Sequence, residues 1–115
     1  MTAIALSTET ARIRDLNDAF RRAPSKHGKL VTTSGVASLP FASQLAIFSK
    51  VMNFDEFSPD NDPNGEHDFG SFDFHDETIF WKIDYYDSDC EYGSEDPADP
   101  SKTTRVMTVM LASEY

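Results

Sequence analysis

The chain has 115 residues, a mass of 12.9 kDa and a formal net charge of −10 at pH 7. This length predicts a single domain spanning residues 1–115 and leaves no room for a separate cofactor domain. The single cysteine, Cys90, excludes an intrachain disulfide framework and a Cys-x-x-Cys motif, and it is typical of a reducing compartment such as the cytoplasm. No stretch approaches the roughly 20 apolar residues of a membrane span, so no membrane partner is expected.

The charge is divided unevenly along the chain. Residues 1–54 carry seven basic and three acidic groups and sum to +4, whereas residues 55–115 carry three basic and seventeen acidic groups and sum to −14. Repulsion from phosphates disfavours direct nucleic-acid binding by the acidic half. The sequence favours a basic protein surface as the partner of this half, with a merely solubilising acidic surface as the alternative.

The first predicted element is a helix from about Thr8 to Arg22. Thr8 is a suitable N-cap, and Pro24 ends the helix shortly after its basic last turn. Apolar residues repeat at helical spacing. They are Ile13, Leu16 and Phe20.

A turn, a strand and a second helix are predicted next. Ser25–Gly28 has turn composition, and Lys29–Thr33 is rich in β-branched residues, which favours a strand. The second helix is predicted from near Ser38 to Asn53, with Pro40 close to its first position. Its predicted core face consists of Phe41, Leu45, Phe48 and Met52, with Ile47 and Val51 beside it.

The acidic half is predicted to form three strands. Asp68–His75 and Thr78–Tyr86 alternate apolar and polar residues, which predicts a β-hairpin with a turn at Asp76 and Glu77. Asp87–Ser101 is predicted to be a long acidic loop, and Lys102–Ala112 a strand rather than a helix. The order α-β-α-β-β-β predicts an α+β fold, with two helices packed on a mainly antiparallel sheet of about four strands.

Residues 58–67 form a loop by composition and contain part of a calcium-loop pattern. Asp60, Asp62, Asn64 and Gly65 fit its first half, but Ser71 stands where a bidentate glutamate is needed. Nearby imidazole and carboxylate groups also suit a transition metal. The candidate ligands for Ca²⁺ or another divalent metal are Asp60, Asp62, Asn64, Glu66, His67 and Asp68. The alternative is an ordinary turn cluster, for which these residue types are common.

Nucleophilic catalysis has little support in the sequence. Cys90 lies between acidic residues, which disfavour a reactive thiolate, and Gly-x-Ser-x-Gly and glycine-rich phosphate-binding motifs are absent. The sequence therefore predicts no catalytic residue and favours a non-enzymatic protein. The candidate partner-binding residues lie on the hairpin and the loop after it. They are Asp84, Tyr86, Asp87, Asp89, Glu91, Glu95 and Asp96.

Several segments carry a family resemblance. They are DNDPNGEHDFG (Asp60–Gly70), FWKIDYYD (Phe80–Asp87), DPADPSKTTRVMTVMLASEY (Asp96–Tyr115), IRDLNDAFRR (Ile13–Arg22) and VTTSGV (Val31–Val36). Taken in their order along the chain, they resemble domain-of-unknown-function family 3768, over roughly residues 12–115. The resemblance implies small bacterial cytosolic proteins, often encoded on mobile elements, and it implies no activity and no catalytic residue.

Three functional hypotheses follow. The first is a binding or inhibitory protein that engages a basic partner through its acidic half, with DNA mimicry as one form of it. The second is a metal-binding module, or a metal-assisted hydrolase, centred on residues 60–68. The third is a module that self-associates as a homodimer through exposed strands.

Overall fold

The computed structural model describes residues 7–115. The helices are α1 (Thr8–Arg22), α2 (Pro24–His27), α3 (Ser34–Ala37) and α4 (Phe41–Met52), followed at the C-terminus by a 3₁₀ turn (Ala112–Glu114). The strands are β1 (Gly28–Thr32), β2 (Phe69–Phe74), β3 (Glu77–Tyr86) and β4 (Thr104–Leu111). None of the described helices is long and apolar enough to cross a bilayer.

The four strands form one mixed sheet in the order β1-β4-β3-β2. Strands β2, β3 and β4 pair antiparallel, whereas β1 pairs parallel with β4, with Gly28 opposite Arg105. The predicted α+β fold with a mainly antiparallel sheet is confirmed. Strand β1, which comes from the helical half of the chain, lies at one edge of the sheet.

One face of the sheet packs against the helices and forms the core. Alternate residues of β3 and β4 point into it, because side chains in a strand alternate between faces. The buried residues shared by helices, sheet and the segment after α4 are Phe20, Val36, Ile47, Val51, Phe54, Ile79, Trp81, Ile83, Met107 and Val109. The predicted alternation of the third strand is confirmed.

Trp81 lies at the centre of this face and is fully buried. Its indole covers the neighbouring strand at Gly70, its direct cross-strand partner. A Cβ at Gly70 would lie 2.5 Å from Cε2 and 2.7 Å from Cζ2 of that indole. Glycine is therefore required here because a side chain would occupy the volume of the tryptophan ring.

The opposite face of the sheet is partly covered by the C-terminus. The Tyr115 ring packs at 5.6 Å from the Phe80 ring and 6.3 Å from the Phe69 ring, and Phe69 and Phe80 lie 5.3 Å apart. The pairing of β2 with β3 is continuous from Phe69 to Phe74, so Gly70 does not form a bulge. Phe69 consequently points away from the core, to the face that Tyr115 covers.

Several predicted boundaries need correction. Ser7, not Thr8, is the N-cap of α1, since its Oγ accepts the Thr10 amide at 3.0 Å. Residues Pro24–His27 form a helical turn, and Gly28 already belongs to β1. Ser34–Ala37 forms a separate short helix, α3. The second long helix begins at Phe41 rather than near Ser38.

The hairpin and its turn are shifted by one position from the prediction. The turn consists of His75 and Asp76, and Glu77 is the first residue of β3. His75 has a φ of 53°, in the left-handed region that a tight turn uses. The loop after the hairpin and the final strand are confirmed.

The predicted core face of α4 is wrong in part. Ile47 and Val51 are the buried residues of this helix, whereas Phe41 is 74% exposed and Leu45 is 52% exposed. The helix is apolar on two adjoining sides, and only one of them faces the sheet. On the other side Phe41 and Leu45 are exposed, whereas Phe48 is half-buried and packs against the core as predicted.

Candidate binding surface

Two long loops leave the sheet at the same end. Strand β3 ends where β4 begins, with Tyr86 opposite Thr104, and β2 begins beside this end, with Phe69 opposite Lys82. The connection before β2 (residues 58–68, called here the entry loop) therefore lies next to the connection between β3 and β4 (residues 87–103, called here the acidic loop). The Ile83 amide donates to the Asp68 carbonyl at 2.8 Å, which fixes the entry loop to β3.

The acidic loop carries six carboxylates and one lysine. Asp89, Glu91 and Glu95 are exposed. In the part of the chain that the structure describes, the only ion pair of these three groups is a long contact of 3.8 Å between Glu95 and Lys102. These three carboxylates thus face water and are available to a positively charged partner.

An aromatic side chain lies among these carboxylates. Tyr92 is 74% exposed, next to Glu91 and close to the tip of the loop. Exposed tyrosine rings often serve as contact residues at protein interfaces, and their faces attract cationic groups. The sequence patterns did not single out Tyr92. Their only signal was an aromatic residue between Glu91 and Gly93 in an acidic segment.

The backbone of the acidic loop is held by its own hydrogen bonds. One carboxylate oxygen of Asp87 accepts the amides of Asp89 at 3.2 Å and Glu91 at 3.0 Å. The Asp87 amide donates to the Tyr92 carbonyl at 2.8 Å, and Tyr86 forms an isolated β-bridge with Gly93. The tip of the loop is therefore a defined turn that extends the end of β3.

The remaining predicted partner-binding residues have other roles. The Asp84 carboxylate is paired with Lys82 at 2.8 Å on the outer face of the sheet, so its charge is compensated. Tyr86 is half-buried in the last position of β3. Asp96 is half-buried, and its carbonyl accepts the Thr103 hydroxyl at 2.8 Å, which closes the base of the acidic loop.

A buried polar network lies beneath both loops. Asn17 of α1 is fully buried and donates to the Tyr85 hydroxyl at 2.7 Å and the Glu66 carbonyl at 3.0 Å. The Tyr85 hydroxyl in turn donates to the Glu66 carboxylate at 2.8 Å. Arg105, 3% exposed, donates to the Asn17 side-chain oxygen at 2.7 Å and to the Pro97 carbonyl at 2.6 Å. One helix residue thereby connects the entry loop with the base of the acidic loop.

A second polar group fixes the entry loop to α1. His67 Nδ1 lies 3.0 Å from an Asp18 carboxylate oxygen, and its ring stacks on Phe57 with the centroids 3.7 Å apart. The same Asp18 oxygen accepts a hydrogen bond from the buried Arg21 guanidinium at 2.9 Å. The His67 amide donates to the Asp62 carboxylate at 3.2 Å. These contacts hold His67 in its left-handed conformation, with a φ of 56°.

The predicted metal ligands are distributed among these contacts. Asp60 and Asn64 are exposed, whereas Asp62 is buried against His67, and Glu66 accepts the Tyr85 hydroxyl. Within residues 7–115, no three His, Cys, Asp or Glu side chains are grouped so that they could hold a metal ion. The hypothesis of a metal site in the entry loop draws no support from this arrangement.

Burial perturbs the ionisable groups of the network. It raises the pKa of Asp68, with the nearby charge of Glu66 as the next cause. It also raises the pKa of the Tyr85 hydroxyl well above its ordinary value, so Tyr85 stays neutral and donates to Glu66. Burial lowers the pKa of Arg105, but arginine remains protonated in proteins. A permanent positive charge therefore lies directly under the acidic loop.

Comparisons with known proteins identify a family. No curated protein and no solved structure matches the chain significantly. A family model described as a protein of unknown function (DUF3768) matches residues 32–114, which include β2, β3, β4 and both loops. The match covers more than half of the chain and agrees with the resemblance of the sequence segments. The chain belongs to the DUF3768 family.

Proposed function

We propose that the protein is a non-enzymatic binding protein whose acidic loop engages a basic surface of a partner protein. The observation that carries this proposal is the exposure of Asp89, Glu91 and Glu95 around Tyr92 on a loop that is held at its base. The carboxylates supply attraction over a distance, and the tyrosine supplies a contact surface for arginine or lysine side chains.

The network beneath the loop supports this function. Binding by a mobile loop costs conformational entropy, and a loop that is already ordered avoids most of that cost. The β-bridge from Tyr86 to Gly93 and the Arg105 hydrogen bond to Pro97 fix the acidic loop at two points. These two contacts hold the base of the loop beneath its charged tip.

The charge of the loop also limits the partner. Nucleic-acid phosphates are repelled by carboxylates, so direct binding of nucleic acid to this surface is disfavoured. A protein that itself binds nucleic acid presents the complementary positive surface, and occupation of that surface inhibits it by mimicry of phosphates. The single cysteine suits a reducing compartment, and we place this interaction in the cytoplasm.

A defined basic probe tests the proposal. A fluorescein-labelled peptide that alternates arginine and glycine is titrated with the protein, and its anisotropy is measured at low and at physiological salt. The variant D89N/E91Q/E95Q removes three exposed charges from the acidic loop. Since surface charge pairs are worth roughly 0.2–1 kcal/mol each, loss of three of them is expected to weaken binding by at least about threefold, and by up to about 150-fold if each pair contributes fully.

A matched variant separates a local site from net charge. E56Q/D76N/E77Q removes the same number of exposed carboxylates from positions outside both loops. We expect this control to bind the probe within about twofold of the unmodified protein, because charges beyond a Debye length of about 8 Å are screened at physiological salt. Equal losses of affinity for both variants would overturn the proposal. Failure of the probe to bind the unmodified protein at low salt would also overturn it.

A further inference from the structure

We draw no further inference here: the strongest candidate, the apolar groove between α4 and β1 that is lined by Leu30, Leu45 and Phe48, carries none because nothing in the structure of residues 7–115 shows what covers it.

Discussion

Gly70→Ala is expected to be one of the most destabilising small substitutions in the molecule. A Cβ at this position lies 2.5–2.7 Å from two carbon atoms of the Trp81 indole, whereas carbon atoms in contact prefer about 3.5–4.0 Å. The indole must therefore move by about 1 Å. It has no free space for this movement, because it is fully buried and its ring packs at 5.5 Å from Phe54 and 6.1 Å from Phe57.

The expected cost follows from the overlap. Overpacking of a rigid core costs about 1–3 kcal/mol, and the absence of a free path for Trp81 favours the upper part of that range. A loss of about 2–3 kcal/mol lowers the melting temperature of a domain of this size by roughly 10 °C. Trp81 is the only tryptophan, so its fluorescence during urea denaturation reports on the affected site directly.

A glycine in the acidic loop provides the control. A Cβ at Gly93 would lie 3.9 Å from its nearest neighbour, the Tyr85 carbonyl oxygen, which is an ordinary contact. Gly93→Ala is therefore expected to change the free energy of unfolding by less than about 0.5 kcal/mol. If Gly70→Ala unfolds at the same urea concentration as the unmodified protein, or if both variants lose equal stability, the reasoning about the indole is refuted.

Three further predictions concern ionisable and polar groups. Because burial raises the pKa of Asp68, its charged form destabilises the native state. Asp68→Asn should therefore raise the free energy of unfolding at pH 7, measured by urea denaturation. This difference from the unmodified protein should disappear as the pH falls below the ordinary pKa range of aspartate. The pKa of Glu114 is lowered by its hydrogen bond with Thr33 and by the Leu111 amide, so its stabilisation is present at neutral pH and is lost as the pH falls through that lowered value. Glu114→Gln should therefore show a flatter acid limb in thermal melts recorded at successive pH values, and an unchanged limb would contradict this role. Asn17→Leu removes two donated hydrogen bonds and leaves buried Arg105 without one acceptor, so the free energy of unfolding should fall by about 3 kcal/mol in urea denaturation. Tyr85→Phe should lower it by only about 1 kcal/mol. Equal losses for the two variants would count against the network.

Local patterns in the sequence predict most of the secondary structure. The alternation of Ile79, Trp81 and Ile83 identifies β3 and its buried face, because alternate side chains of a strand point to the same face of the sheet. Helix α1 follows from its apolar spacing and from Pro24 after its end. The short helices at Pro24–His27 and Ser34–Ala37 were not predicted, since one helical turn contains too few residues to show a period.

The choice between two apolar sides of α4 could not be made from the sequence. Phe41 and Leu45 repeat at helical spacing as convincingly as Ile47 and Val51, and only the position of the sheet decides which side is buried. Phe48 of the other side still packs against the core, and only Phe41 and Leu45 are exposed.

The polar network also lies beyond the reach of sequence patterns. Asn17 and Arg105 are separated by 88 positions, and each is of a residue type that is usually exposed. Their burial depends on a non-local arrangement in which α1 crosses the end of the sheet where both loops meet. The acidic composition of residues 87–103 was visible in the sequence, but the exposed position of Tyr92 was not.

Chemical-shift mapping tests the central claim most directly. The ¹⁵N-labelled protein is titrated with the arginine–glycine peptide at physiological salt, and backbone amide shifts are recorded for every assigned residue. We predict the largest changes in residues 87–96, centred on Tyr92, with small changes at the hairpin turn around Asp76. Changes of equal size at both places, or changes concentrated outside the acidic loop, would contradict the assignment of this loop as the binding surface.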